Sequence, residues 1–212
     1  MIKYKGFTYT LLAHMLKKPM IKKFGKSKTK ESIKKGRNIY KDMLNKTDDI
    51  GKDNPMIFNI YMGYVLMAIC RAGHFDIDEF KEVTKDFINN KLVHRFVASL
   101  NLNDQKDLNK MKKSIAKYVK YNNEHLQYKG KYWEFNFDDK LHKDGIYFYY
   151  SHCPMAKFAK EYSFEKELNI GCDIDYLTCK AKHGVLYREQ TLVTGGDKCD
   201  YWIVGDESKN PK

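Results

Sequence analysis

Apolar residues in the first part of the chain recur every three to four positions, the spacing of amphipathic helices. The pattern predicts a short helix over residues 7–18 that ends ahead of Pro19, because the residue before a proline avoids the helical region. A second helix is predicted to start at Ser27 or Thr29, whose hydroxyls can cap its first turn. Its apolar side consists of Ile33, Ile39, Tyr40, Met43 and Leu44.

The next helix has clear signals at both of its ends. Asn54 offers a capping side chain, and Pro55 suits a first helical turn, where its missing N–H costs nothing. Apolar residues then surround the chain from position 56 to 72, so we expect this helix to be central and buried. Gly73 is its natural end.

Two further amphipathic segments complete the helical part. Asp76, with Glu79 three positions later, fits a capping box at the start of the first segment. The apolar spacing then predicts a break near Asn89 and Asn90. The second segment is predicted to begin at about Asp104.

The apolar period changes near Tyr132 from that of a helix to that of a strand. Trp133, Phe135 and Phe137 alternate with polar residues, which predicts an antiparallel strand with one buried face. Residues 146–151 are apolar almost throughout and predict a second strand.

Two helices and two more strands are predicted after these. Pro154 opposes continuation of the sheet and favours a helix over residues 155–168. Gly171 is expected to separate it from a helix over 173–182. Residues 185–193 and 199–204 are predicted strands, joined by a tight hairpin at the sequence TGGDK.

The predicted fold class is α+β, with a helical N-terminal half followed by an antiparallel sheet backed by helices in the order β-β-α-α-β-β. Residues 1–125 form the helical part and 126–206 the α+β part. Because no flexible linker separates them, we expect 1–212 to be a single integrated domain.

The net charge of +12 is concentrated at the N-terminus, where residues 1–50 hold 14 Lys/Arg and 4 Asp/Glu. A basic end can bind nucleic acid or an anionic membrane. Here the lysines alternate with apolar residues at helical spacing, which indicates a solvated face of a docked helix. We therefore expect no nucleic-acid partner.

The longest nearly apolar run, residues 57–70, is too short to span a bilayer. The N-terminus lacks the cleavage site of a signal peptide. The sequence therefore predicts a cytoplasmic protein without a membrane partner, and it does not determine the oligomeric state.

Four of the five cysteines lie in the last third of the chain, mixed with aspartates. Cys172 is placed at the predicted start of a helix, where free N–H groups and the helix dipole favour a thiolate. Asp175 lies one helical turn further on and is a candidate general acid or base. Glycines 195 and 196, followed by Asp197, allow backbone N–H groups to approach a ligand, although ordinary hairpins use the same residues.

A metal site is the competing interpretation of these cysteines. Cys153, Cys172 and Cys199, with His152 or an aspartate, are ligand types for zinc, but only the fold could bring them together. The sequence contains no Cys-x-x-Cys pair, which disfavours a zinc ribbon or a thioredoxin-like site. We predict neither a resident metal nor a cofactor.

Three stretches of the last third carry a family resemblance: YFYYSHCPMAKFA (147–159), NIGCDIDYLTCKAKHG (169–184) and REQTLVTGGDKCDYWIV (188–204). They resemble the C-terminal signature of the L-2-amino-thiazoline-4-carboxylic acid hydrolase family. The matching positions are Cys153, Cys172, Asp175-Tyr176, Arg188, Thr191-Leu192, Gly195-Gly196-Asp197 and Cys199-Asp200-Tyr201.

This resemblance implies an enzyme that hydrolyses a cyclic C–N bond, opening a small thiazoline carboxylate to an N-carbamoyl cysteine. Cys172 is then the candidate nucleophile, with Asp175 as acid and base and with Cys153 and Cys199 as further catalytic candidates. Arg188, Thr191 and the turn formed by Gly195, Gly196 and Asp197 would bind the substrate. A more distant similarity to small-ligand domains of the vinyl-reductase type implies the alternative, a non-catalytic sensor.

Overall fold

The computed structural model of the protein describes residues 1–138 and 140–208. Within these residues the chain forms eight α-helices and four β-strands, with short 3₁₀ turns at Leu126–Tyr128 and Leu192–Thr194. The helices are α1 (Gly6–Phe24), α2 (Lys26–Lys46), α3 (Ile57–Gly73), α4 (Ile77–Ile88), α5 (Lys91–Val97), α6 (Gln105–Glu124), α7 (Pro154–Tyr162) and α8 (Glu165–Ala181). The strands are β1 (Glu134–Phe137), β2 (Ile146–His152), β3 (Gly184–Tyr187) and β4 (Cys199–Gly205).

The α+β fold class and the order of elements are confirmed. Six helices precede the first strand, and the remaining elements follow as β-β-α-α-β-β. The four strands form one antiparallel sheet in the order β1-β2-β4-β3. The two longest strands, β2 and β4, are therefore its centre.

The chain divides into two compact units. The first comprises Met1–Asn90 and Phe158–Ile174, and the second comprises Lys91–Lys157 and the described residues from Asp175 onward. Both α7 and α8 contribute residues to each unit. The expectation of a single integrated domain stays a prediction.

Helix α3 is the centre of the first unit, as predicted. Its residues from Ile60 to Cys70 are buried with the exception of Met62. Helix α2 packs closely against it at Gly36, where an added Cβ would lie 3.2 Å from the carbonyl oxygen of Ala68. A small residue at this position lets the two backbones approach each other.

Two predictions about the first helices are wrong. Helix α1 continues through Pro19 to Phe24, because Leu16 and Met20 on either side of the proline are both fully buried on one face. Helix α2 begins after Gly25, whose φ of 81° is available to glycine, and no side chain caps it. Thr29 is instead buried within the helix.

The predicted boundaries of the later helices in this half are confirmed. The carboxylate of Asp76 accepts the N–H groups of Asp78 and Glu79, at 3.0 and 3.1 Å. Helices α4 and α5 are separated at Asn89 and Asn90. Asp104 caps α6 through the N–H of Lys106.

The expected break at Gly171 is wrong, because the two helices meet at Ser163 instead. Ser163 has a left-handed φ of 58°, and the N–H of Phe164 bonds to the carbonyl of Ala159 at 2.8 Å. The ring of Phe164 also lies 5.6 Å from that of Phe158, which completes a Schellman end to α7. Helix α8 then runs without interruption through Gly171.

Candidate functional site

The inner face of the sheet in the second unit is built from alternate residues of its two central strands. Tyr150 pairs with Cys199, and Phe148 pairs with Tyr201. The rings of Phe148 and Tyr201 stack at 4.7 Å, and Tyr150 meets Tyr201 edge to face at 5.0 Å. This aromatic packing fixes the direction of the side chains that carry the site.

An ion pair between Asp175 on α8 and Arg188, which follows β3, lies against this face. The Arg188 Nη2 donates to Asp175 Oδ2 at 2.7 Å, and the Tyr201 hydroxyl donates to the same oxygen at 2.8 Å. The guanidinium also lies over the Tyr201 ring, 4.1 Å from its centre. The Arg188 side chain is only 3% exposed, whereas that of Asp175 is 37% exposed. The arrangement therefore holds a carboxylate in one position and leaves it accessible.

The cysteine that lies at the start of a helix is Cys153, which directly precedes α7, rather than Cys172. The N–H groups of Met155 and Ala156, in the first turn of α7, and the indole of Trp133 favour the Cys153 thiolate and lower its pKa. Burial outweighs these groups and, with Cys199 nearby, raises the pKa of Cys153 to about 12. The thiol is therefore protonated at neutral pH.

Cys172 lies in the interior of α8, which begins at Glu165. The argument that a helix terminus activates its thiol is therefore wrong, because the free N–H groups of α8 belong to an earlier turn. Cys172 is half-buried on the part of α8 that belongs to the first unit. Its catalytic role stays a prediction.

Cys199 and Asp200, at the start of β4, hold the loop over residues 188–198. The Asp200 carboxylate accepts the N–H groups of Glu189 and Gln190, at 3.0 and 2.9 Å. The Cys199 sulfur accepts the N–H of Leu192 at 3.2 Å, and burial raises the pKa of this thiol. Because side chains satisfy these backbone groups, β3 ends at Tyr187, and the predicted strand over 185–193 with its tight hairpin is wrong.

The remaining predicted substrate-binding residues organise this loop. The Thr191 hydroxyl caps the 3₁₀ turn at Leu192–Thr194, and Gly195 ends that turn with a φ of 97°. The N–H of Gly196 bonds to the Thr191 carbonyl, and that of Asp197 bonds to the Gln190 side chain, both at 2.9 Å. The backbone donors expected to approach a ligand therefore have partners within the loop.

Asp175, Arg188, Cys153 and Cys199 are all close enough to Tyr150 to interact electrostatically with its hydroxyl group. All four side chains affect the pKa of this buried phenol. Within residues 1–138 and 140–208, no group of three His, Cys, Asp or Glu side chains is arranged to hold a metal ion.

The chain matches a protein-family model. The model of the L-2-amino-thiazoline-4-carboxylic acid hydrolase family matches residues 59–203, well over half of the chain. The chain belongs to this family. The search of curated proteins and the search of solved structures each found no significant match.

Family membership extends the resemblance from the C-terminal signature into the helical part, since the match begins within α3. The L-2-amino-thiazoline-4-carboxylic acid hydrolase family is named for a hydrolase, and all four side chains around Tyr150 lie in the matched region. None of the described helices has the length and apolar composition needed to cross a membrane.

Sequence reasoning missed Tyr150 and the role of Tyr201 in this member of the hydrolase family. Tyr201 belonged to the recognised motif, yet nothing in its spacing indicated a bond to Asp175. A usable signal was the alternation in β2 and β4, which predicts that Tyr150 and Tyr201 share the face of Cys199.

Proposed function

We propose that the protein hydrolyses a small thiazoline-type carboxylate to an N-carbamoyl amino acid, with Asp175 activating the attacking water. The observation that carries this proposal is the Asp175 carboxylate, which Arg188 and Tyr201 hold through one oxygen while 37% of the side chain stays exposed. A general base needs both a fixed position and access to water. The family supplies the substrate class.

The product determines which bond of the ring opens. In an N-carbamoyl cysteine, the former ring nitrogen is still bonded to the former C2 carbon. The bond that breaks is therefore C2–S, which corrects the expectation of C–N cleavage. The leaving group is a thiolate, a much better leaving group than an amide anion.

The proposed reaction has two stages. Water adds to C2, one of its protons passes to Asp175 and then to the ring nitrogen, and the C=N bond becomes a single bond. The new hydroxyl then loses its proton, C=O forms, the C2–S bond breaks, and the sulfur takes that proton. One water is consumed, and no ammonia is released.

Activated water is favoured over a cysteine nucleophile by the electrostatics of the buried thiols. Burial raises the pKa of Cys153 to about 12 and that of Cys179 to about 11, and it also raises that of Cys199. Attack by Cys172 stays the alternative route. It would form an isothiourea on the protein, with release of the substrate thiol, before water restores the cysteine.

In this proposal Arg188 is a positioning residue that acts through Asp175. Its guanidinium is enclosed by Asp175, the Tyr201 ring and the carbonyl of Asp200, to which Nε donates at 3.3 Å. The Arg188 side chain is only 3% exposed, which disfavours direct binding of the substrate carboxylate.

The test is incubation of purified protein with 2-amino-thiazoline-4-carboxylate. We expect a new thiol and a mass increase of one water. Asp175→Asn should lower kcat by about 10²- to 10⁴-fold, the usual contribution of a general base. Asp173→Asn is the matched control, because Asp173 is on the same helix but pairs with Lys81 at 2.8 Å. Full activity of Asp175→Asn would contradict the proposal.

Cys172→Ser and Cys153→Ser separate the water route from the thiolate route. We expect both variants to retain turnover. Abolished turnover in folded Cys172→Ser, with an isothiourea adduct on the wild-type protein, would establish the covalent route. A sensor of the vinyl-reductase type would instead bind a small molecule stoichiometrically and return it unchanged, as mass spectrometry would reveal.

A further inference from the structure

Tyr150 occupies a fixed position at the centre of the candidate site. Its backbone pairs with Cys199 in the β2–β4 ladder. Its ring meets Phe135 edge to face at 4.7 Å and Tyr201 at 5.0 Å. Since two aromatic neighbours hold the ring, the direction of its hydroxyl is set by packing.

The Tyr150 hydroxyl has no hydrogen-bond partner among the residues that the structure describes. Buried phenols ordinarily find one. The Tyr40 hydroxyl also lacks a partner but is fully enclosed in the first unit, whereas Tyr150 is 9% exposed and its hydroxyl is not enclosed. The Tyr150 hydroxyl is therefore a donor that a bound molecule can reach.

The groups around this hydroxyl keep it protonated. Burial raises the pKa of Tyr150 well above 10.0, Asp175, Cys153 and Cys199 raise it further, and Arg188 opposes them. Such a phenol donates a hydrogen bond but does not release its proton near neutral pH.

We infer that the Tyr150 hydroxyl is a catalytic hydrogen-bond donor to the ring nitrogen of the substrate. This inference rests on the proposed function. When water adds to C2, the electron pair of the C=N bond moves onto the ring nitrogen, so negative charge grows there. A donor already aimed at that atom stabilises the transition state more than the bound substrate. The proton that the nitrogen finally takes comes from water through Asp175.

The experiment is the kinetics of Tyr150→Phe, which keeps the ring and its packing. We expect kcat to fall by about 10²-fold, as for loss of one donor to a developing anion, and KM to rise less, by about tenfold. Tyr149→Phe is the matched control, because Tyr149 is the next residue on the strand but faces the other side, under Lys198. Circular dichroism verifies that both variants are folded.

Tyr150→Phe activity within twofold of wild type would overturn the inference, as would an equal loss in Tyr149→Phe. If wild-type protein does not turn over the thiazoline, calorimetric binding of that compound to wild type and Tyr150→Phe decides the matter. Affinity about tenfold weaker in Tyr150→Phe would keep the donor role and overturn only the proposed reaction. Equal affinities, or no binding by wild type, would overturn both.

Discussion

Cys70 lies in the buried helix α3 with 1% of its surface exposed, and its thiol donates to the carbonyl of Phe75, with S and O 3.8 Å apart. Burial is the main reason that its pKa rises from 9.0 to about 12. Near pH 10 an unfolded chain has lost this proton, whereas the folded chain keeps it. The unfolded state then binds fewer protons, so the stability of the fold falls as pH rises from about 9 to about 12.

Cys70→Ala tests this linkage. The variant should be less stable at pH 8, because a buried side chain is truncated. Its free energy of unfolding should then fall less steeply between pH 9 and 11 than that of wild type, by up to about 1.4 kcal/mol per pH unit. Urea unfolding followed at several pH values gives both slopes. Parallel slopes would show that Cys70 does not carry the linkage.

Individual residues also show why the candidate site was only partly predictable from the sequence. Asp175 and Arg188 were both identified from motif positions, but their ion pair depends on an approach of α8 to the residue after β3. The expected activation of Cys172 failed because it depended on one helix boundary, and boundaries are the least reliable part of a sequence-based prediction.

At the scale of elements, two glycines inside helices of the first unit differ in the space around them: one has room for a side chain and the other does not. Gly171 lies between the buried residues Ile170 and Ile174 of α8, and an added Cβ would touch only Leu168, at 3.9 Å. Gly36 in α2 has no such room, since an added Cβ would lie 2.7 Å from the Tyr9 hydroxyl and 3.2 Å from the Ala68 carbonyl.

Substitution by alanine should therefore have opposite effects at these two positions. Gly171→Ala should raise the free energy of unfolding by about 0.5–1 kcal/mol, because alanine is the better helix former. Gly36→Ala should lower it by about 1–3 kcal/mol, the usual cost of overpacking. Urea unfolding measures both. Destabilisation by Gly171→Ala would indicate that α8 is broken at this point, as the sequence alone predicted.

At the scale of the whole chain, the basic N-terminal 50 residues form helices α1 and α2 rather than an unstructured arm. Several of their lysines pair with acids, as in Lys22–Asp86 at 3.3 Å, Lys35–Glu31 at 2.7 Å and Lys46–Asp42 at 2.8 Å. Exposed pairs of this kind contribute little to stability, but they reduce the local excess of positive charge.

The whole protein should consequently bind oligonucleotides weakly. We expect no sub-micromolar affinity for duplex or single-stranded probes at about 0.15 M salt, where charges are screened beyond roughly 8 Å. Fluorescence anisotropy over a salt series measures this. Tight binding that persists at that salt concentration would assign the lysines to a nucleic-acid surface.

The sequence by itself determined the α+β class, the order of its elements, the central helix α3, the cap at Asp76 and the start of a helix near Asp104. These features follow from periodicity and local hydrogen bonding, which depend only on residues that are close together in the sequence. Family membership also followed from short local motifs.

Only the tertiary structure decided the passage of α1 through Pro19, the continuity of α8 through Gly171 and the end of β3 at Tyr187. In the two helices, the burial of apolar residues on both sides of Pro19 and Gly171 outweighs the cost of about 1–3 kcal/mol of placing proline or glycine inside a helix. At Tyr187, the carboxylate of Asp200 replaces a ladder that the local pattern favoured. The position of Tyr150 in the site was also decided only by the tertiary structure, because its neighbours there come from distant parts of the chain.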